Sequence, residues 1–133
     1  MSALSASRAQ IVTGRVLSGL AIAFLTFDAG IKVLQLPPAV EGTTSLGYAA
    51  SAVLGIGLLE LACLALYALP ATSILGAVLL TGYFGGAIAS HARLGNPLMS
   101  HVLFPVYVAV LVWGGLYLRD ARLRILVPIV ADA

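Results

Sequence analysis

The chain has 133 residues, 61% of them hydrophobic and only 9% charged, where a soluble domain carries about 25% charged residues. With a mean hydropathy of +1.08, it is read as a membrane protein. At about 20 residues per span it has room for about four transmembrane helices and none for a separate soluble catalytic domain. The net charge of +2 sits mostly in the two tails, which suits membrane orientation and not nucleic acid, and one cysteine, Cys63, excludes an internal disulfide and a cysteine metal cage.

The first apolar stretch predicts a helix over about 11–35, ended by Pro37 and Pro38, because a proline removes a donor and pushes its predecessor out of the α region. Its length, and Asp28 and Lys32 within it, fit a retained span better than a cleaved signal. Residues 36–46, with the diproline, Glu41, Gly42, Thr43 and Thr44, are expected to form the longest loop. A second helix is expected over about 47–69 and a third over 70–92, with Pro70 in its first turn and His91 and Arg93 near its last. Gly95 and Pro97 close it, and a fourth helix covers about 98–118. The expected fold is thus all-α, an integral membrane four-helix bundle forming a single domain over 1–133. Arg8, Arg15, Arg119, Arg122 and Arg124 fall on one side, so the positive-inside rule puts both termini in the cytoplasm. On that assignment Tyr67, Trp113 and Tyr117 mark the inner interface. Small residues recur at Gly47, Ser51 and Gly55, and again at Gly82, Gly86 and Ser90, registers that allow close helix approach in lipid.

Ionisable groups in hydrocarbon cost about 2.5–3.5 kcal/mol or more, so each needs a partner, a water cavity or a function. Within the expected spans they are Asp28, Lys32 and Glu60, with His91 and His101 near the outer ends. Asp28 and Lys32 share a helix face at i, i+4, with the acid first as an ion pair prefers. Lys32 is expected to extend its amine to water at the outer interface. They are read either as a self-neutralising pair or as part of a site. Tyr83, Ser90 and His91 form a polar stripe on one face of the third helix. Pro105 is expected to leave the carbonyl of His101 free. Asp28 and His91 are the candidate acid and base, since imidazole titrates near neutral pH. Lys32, Tyr83, Ser90, Arg93, His101, Tyr107 and Glu60 are candidate ligand contacts, although Tyr107 lies about 120° round the helix from His101. Glu60, placed at mid-membrane to inner depth, is read as helix adhesive or as a proton or ligand contact. No P-loop, GxGxxG, CxxC or HExxH occurs, so no metal and no covalently held cofactor is expected.

Four segments carry a family resemblance: F-D-A-G-I-K-V-L-Q-L from Phe27, P-P-A-V-E-G with L-G-Y between Pro37 and Tyr48, T-G-Y-F-G-G-A-I-A-S-H-A-R-L-G-N-P from Thr81, and V-W-G-G-L-Y-L-R-D from Val112. Together the chain resembles the DoxX-like family of small membrane proteins over about Gly14 to Pro128. Ala49 stands where the family pattern often has proline after L-G-Y. The resemblance implies a four-helix membrane bundle and matches family positions at Asp28, Lys32, His91 and Arg93. The family takes its name from a subunit of a thiosulfate:quinone oxidoreductase, which implies an inner-membrane, redox-associated subunit. The expected partners are the lipid bilayer, a quinone-like or other lipophilic molecule in an outer-half pocket, a redox protein supplying electrons, and a second copy of the chain. Two alternatives stay open: a cofactor-independent enzyme, isomerase-like, moving a proton between Asp28 and His91, and a scaffold subunit with no activity of its own.

Overall fold

Ser7 starts the first helix with a reciprocal cap. Its Oγ accepts from the Gln10 amide at 3.2 Å, and the Gln10 side chain accepts from the Ser7 amide at 2.8 Å. In this computed structural model, which describes residues 5–129, α1 then runs over Arg8–Val33. Its buried stripe is Gly14, Ser18, Ala21, Leu25 and Ala29, spaced three or four apart and mostly small, so neighbouring helices come close.

The expected loop after α1 is instead a helix, α2 (Pro37–Ser45). The diproline that ends α1 also occupies the first positions of α2, where a missing N–H costs nothing. Polar composition had marked a loop, but Glu41, Thr44 and Ser45 lie along a short helix whose buried residues are Ala39 and Thr43. Left-handed residues stand just outside its two ends, Gln35 at φ 52° and Gly47 at φ 96°.

Gly47 also explains why the next helix starts late. The turn from Gly47 to Ser51 delays α3 to Ala52–Ala68, 17 residues and about 26 Å long, five residues shorter at its start than expected. A 3-10 turn over Pro70–Thr72 leads into α4 (Ser73–Arg93). The last expected helix is broken: a π-helical turn at Leu98–Val102 precedes α5 (Phe104–Arg119), followed by α6 (Ala121–Leu126). Pro105 therefore sits in the first turn of α5, not in a helix interior, and among the described residues no backbone N–H outside the helices donates to the His101 carbonyl.

No strand occurs among the described residues. Three stretches, Arg8–Val33, Pro70–Arg93 and Leu98–Arg119, are long and apolar enough to cross a membrane, and α3 is apolar but shorter. α1 packs on α3 and α5, and α4 packs on the same two helices from the other side. Large apolar side chains such as Val16, Leu59 and Val110 face outward. The core between the helices is built from Leu25, Leu64, Tyr67, Leu80, Val112 and Leu116.

The closest helix contacts do not use the small-residue registers expected from spacing. They are made at Gly14 against Gly115, at Gly57 against Lys32 and Val33, and at Gly76, where an added Cβ would lie 2.2 Å from the Tyr67 backbone nitrogen. Gly55, Gly82 and Gly86 have no atom within 4 Å of a Cβ position; the last two border a cavity. Tyr67 is likewise no interface marker. It is fully buried, and its hydroxyl donates to the Val112 carbonyl at 2.8 Å. Since that proton is committed, Ser18 Oγ donates to Tyr67 Oη (2.8 Å), and Arg119 Nε donates to Ser18 Oγ (2.9 Å). The guanidinium also lies 5.4 Å from the Tyr67 ring centroid. Trp113 is half-buried and donates to Thr81 Oγ1 at 2.7 Å, while the Tyr117 hydroxyl accepts from the Ile129 amide.

Candidate functional site

At the opposite end from Ser18 and Arg119, the helices diverge around a cavity of about 710 Å³, within the 300–1,000 Å³ usual for small-molecule sites. Its walls are mostly apolar, with Phe24, Leu25, Phe84, Phe104 and Val108 prominent, and α2 contributes Pro38, Ala39 and Thr43. The absence of side chains at Gly82 and Gly86 leaves room beside α4.

The charged floor is one cluster. Lys32 Nζ donates to Asp28 Oδ2, to Glu60 Oε2 at 3.0 Å and to Tyr83 Oη at 2.8 Å. The Tyr83 hydroxyl donates in turn to Glu60 Oε2 at 2.9 Å. The expected i, i+4 pair thus exists, and it recruits a second carboxylate from α3 and a phenol from α4. Lys32 does not reach out to water as expected. Its side chain is 14% exposed and turned toward Glu60, because Gly57, one turn before Glu60, lets α3 lie directly against the end of α1. Glu60 is wholly buried midway along α3 and meets Lys32 there.

Ser90 lies in the wall, where it donates to the Gly86 carbonyl (2.8 Å) and accepts from the Tyr48 hydroxyl (2.7 Å). His91 and His101 meet edge to face across the mouth, centroids 5.6 Å apart. Asn96 donates its amide to His91 Nδ1 at 2.9 Å, which leaves the imidazole proton on Nε2; Ser100 pairs with His101 Nδ1 at 2.7 Å. Asp28 and His91 both border the cavity, but no hydrogen bond joins them. Arg93 and Tyr107 lie outside the cavity wall. Arg93 donates to the Leu46 carbonyl (2.7 Å) and so ties α4 to the turn before α3; Tyr107 is exposed and donates to the Met99 carbonyl (2.8 Å).

Spacing alone did not indicate Tyr48, Phe24, Phe104 or the α2 residues. Tyr48 was visible only as the last letter of L-G-Y, and α2 only as a polar segment. Among the described residues no cluster of three or more histidine, cysteine or carboxylate side chains could hold a metal. Cys63 is buried beside the core.

The family profile described as DoxX-like matches residues 16–115, three quarters of the chain, and takes in Asp28, Lys32, Glu60, Tyr83 and His91. The chain belongs to the DoxX-like family. With its long apolar helices, it is a DoxX-like membrane protein. No curated protein and no solved structure matches the chain.

Proposed function

We propose that this DoxX-like protein is a four-span subunit of the plasma (inner) membrane, both termini cytoplasmic, whose pocket holds a lipophilic small molecule of the quinone class. A redox partner protein would exchange electrons with that molecule, to which this chain would supply hydrogen bonds and shape. The observation that carries the reading is the cavity itself: apolar walls wide enough for a ring and tail end on a charged, hydrogen-bonding floor of Asp28, Lys32, Glu60 and Tyr83. A polar head on a lipophilic body is the shape and chemistry that such a site accommodates. Burying two carboxylates and an ammonium in a low-dielectric wall is costly, which supports a role for them beyond holding helices together. The arginines at the termini and the single Arg93 and Lys32 toward the pocket end support the orientation.

The test is to purify the protein in mild detergent and identify co-extracted small molecules by mass spectrometry against a detergent-only control. Gly86→Leu serves as the blocking variant, since its Cβ meets no atom within 4 Å yet the side chain fills the cavity. A lipophilic compound present in stoichiometric amount and lost in folded Gly86→Leu protein is expected. An empty pocket, or equal retention by the variant, would overturn the reading.

A further inference from the structure

The floor of the pocket has spent its donors and kept its acceptors. An ammonium has three protons, and those of Lys32 are committed to Asp28 Oδ2, Glu60 Oε2 and Tyr83 Oη. The only hydroxyl proton on the floor, that of Tyr83, is committed to Glu60 Oε2. Against this, Glu60 Oε1 is buried and has no partner, although its residue is wholly inaccessible and forms part of the cavity wall. Among the described residues nothing donates to Asp28 Oδ1 either, and that side chain is 31% exposed where it borders the cavity. A buried acceptor without a partner is a group that binding can satisfy. A carbonyl or ether oxygen arriving at this floor would find the Lys32 and Tyr83 protons committed and would lie against unpaired carboxyl oxygens, the imidazole proton on His91 Nε2 being at the mouth.

We infer that the pocket selects a lipophilic molecule whose polar head donates a hydrogen bond, a phenolic or alcoholic hydroxyl, over one whose head only accepts, such as a quinone carbonyl or an ether. This rests on the pocket reading above and specifies the head group: within a quinone couple, the hydroquinone is the form held. A hydroxyl reaching Asp28 Oδ1, with a small turn of Glu60 bringing Oε1 to the same group, completes the acceptors that Lys32 and Tyr83 leave empty. A hydrogen bond to a charged acceptor corresponds to a preference of about tenfold to a hundredfold. For a two-electron couple, tighter binding of the reduced form by tenfold raises the bound midpoint potential by about 30 mV.

Three probes with the same ten-carbon tail separate the chemistries: 4-decylphenol, its methyl ether 4-decylanisole, and decylbenzoquinone, each titrated against the purified full-length protein in detergent at neutral pH. The phenol is expected to bind at least tenfold more tightly than the other two. Asp28→Asn and Glu60→Gln each replace a carboxylate oxygen with an amide NH₂, so each is expected to narrow that ratio by weakening the phenol and strengthening the quinone. A merely structural role for either residue would weaken all three probes alike. If Glu60→Gln fails to fold, Asp28→Asn alone decides. Equal binding of phenol and quinone, or a quinone preference, overturns the inference and leaves the pocket reading standing; a proton shared between the two carboxyls would give that result. If no probe binds, or Gly86→Leu binds all three as well as the parent, the pocket reading itself falls.

Discussion

Two polar nodes lie at opposite ends of the same helices, and they are built differently. At the end near the termini, Arg119 Nε, Ser18, Tyr67 and the Val112 carbonyl form a relay in which each hydroxyl both accepts and donates, and none of these residues borders the cavity. At the other end, Asp28, Lys32, Glu60 and Tyr83 use similar interactions but leave carboxylate oxygens over and border empty space. A closed relay of two hydroxyls running from a guanidinium to a backbone carbonyl fixes helix positions. An open node with excess acceptors has capacity for something else, and polar residues alone would not have distinguished the two.

The largest test of that contrast is Lys32→Met. It leaves two carboxylates without their cation and should cost about 3–5 kcal/mol, read as loss of unfolding free energy in detergent. A loss under about 1 kcal/mol would mean the node is not an ion cluster. Gly76→Ala tests the packing of the closed end, where the new Cβ meets Tyr67 backbone at 2.2 Å. A cost of about 3 kcal/mol is expected, whereas Gly82→Ala, with open space, should stay within about 0.5 kcal/mol. Tyr67→Phe should cost about 2 kcal/mol, because it removes the second hydrogen bond to the Val112 carbonyl and leaves the buried Ser18 hydroxyl without its acceptor. Tyr83→Phe should cost less in the same assay, since water can enter the bordering cavity and replace the lost hydroxyl. Equal losses would erase the distinction between the nodes.

The smallest effect belongs to Asp120, which caps α6 through the Arg122 amide. The Arg122 side chain holds its carboxyl below the ordinary aspartate range. A carboxyl depressed in the folded state contributes stability above its unfolded pKa of about 3.9 and loses it as pH falls through the folded value. Asp120→Asn should therefore lower stability slightly at neutral pH, by less than about 1 kcal/mol, and the difference from the parent should begin to shrink below about pH 4 and vanish only once the pH is under the depressed folded value.

Charge placement within single helices was legible in the sequence; what joins one helix to another was not. The i, i+4 spacing puts Asp28 and Lys32 on one face of α1, where they do pair. It could not reveal that Glu60, 28 positions away from Lys32, joins them, because that depends on the height at which α3 packs. The turn at Gly47 to Ser51 shifts the start of α3, so that Glu60 falls at its middle, beside Lys32. The stripe of Tyr83, Ser90 and His91 was visible by period, yet its members have separate partners: Lys32 and Glu60, Tyr48, and Asn96. α2 was hidden because Glu41, Gly42 and the threonines resemble a turn by composition, while prolines at its start favour a helix by geometry. The pocket depended on α2 and on the empty sites at Gly82 and Gly86, so its volume was not readable from any one segment.

α1 carries Asp28 and runs through both nodes, with Ser18 in the closed one and Lys32 in the open one. They lie about 21 Å apart along a continuous helix and within about 40° of each other around it, with Ala21, Leu25 and Ala29 on the stripe between. α1 therefore sets their phase as a rigid shaft does. One alanine inserted between Ser18 and Lys32 would turn one end by about 100° against the other, so that either the relay or the ion cluster could engage, but not both. A turn of the whole shaft would disengage them together, which makes the orientation of α1 the single coordinate that couples the two ends.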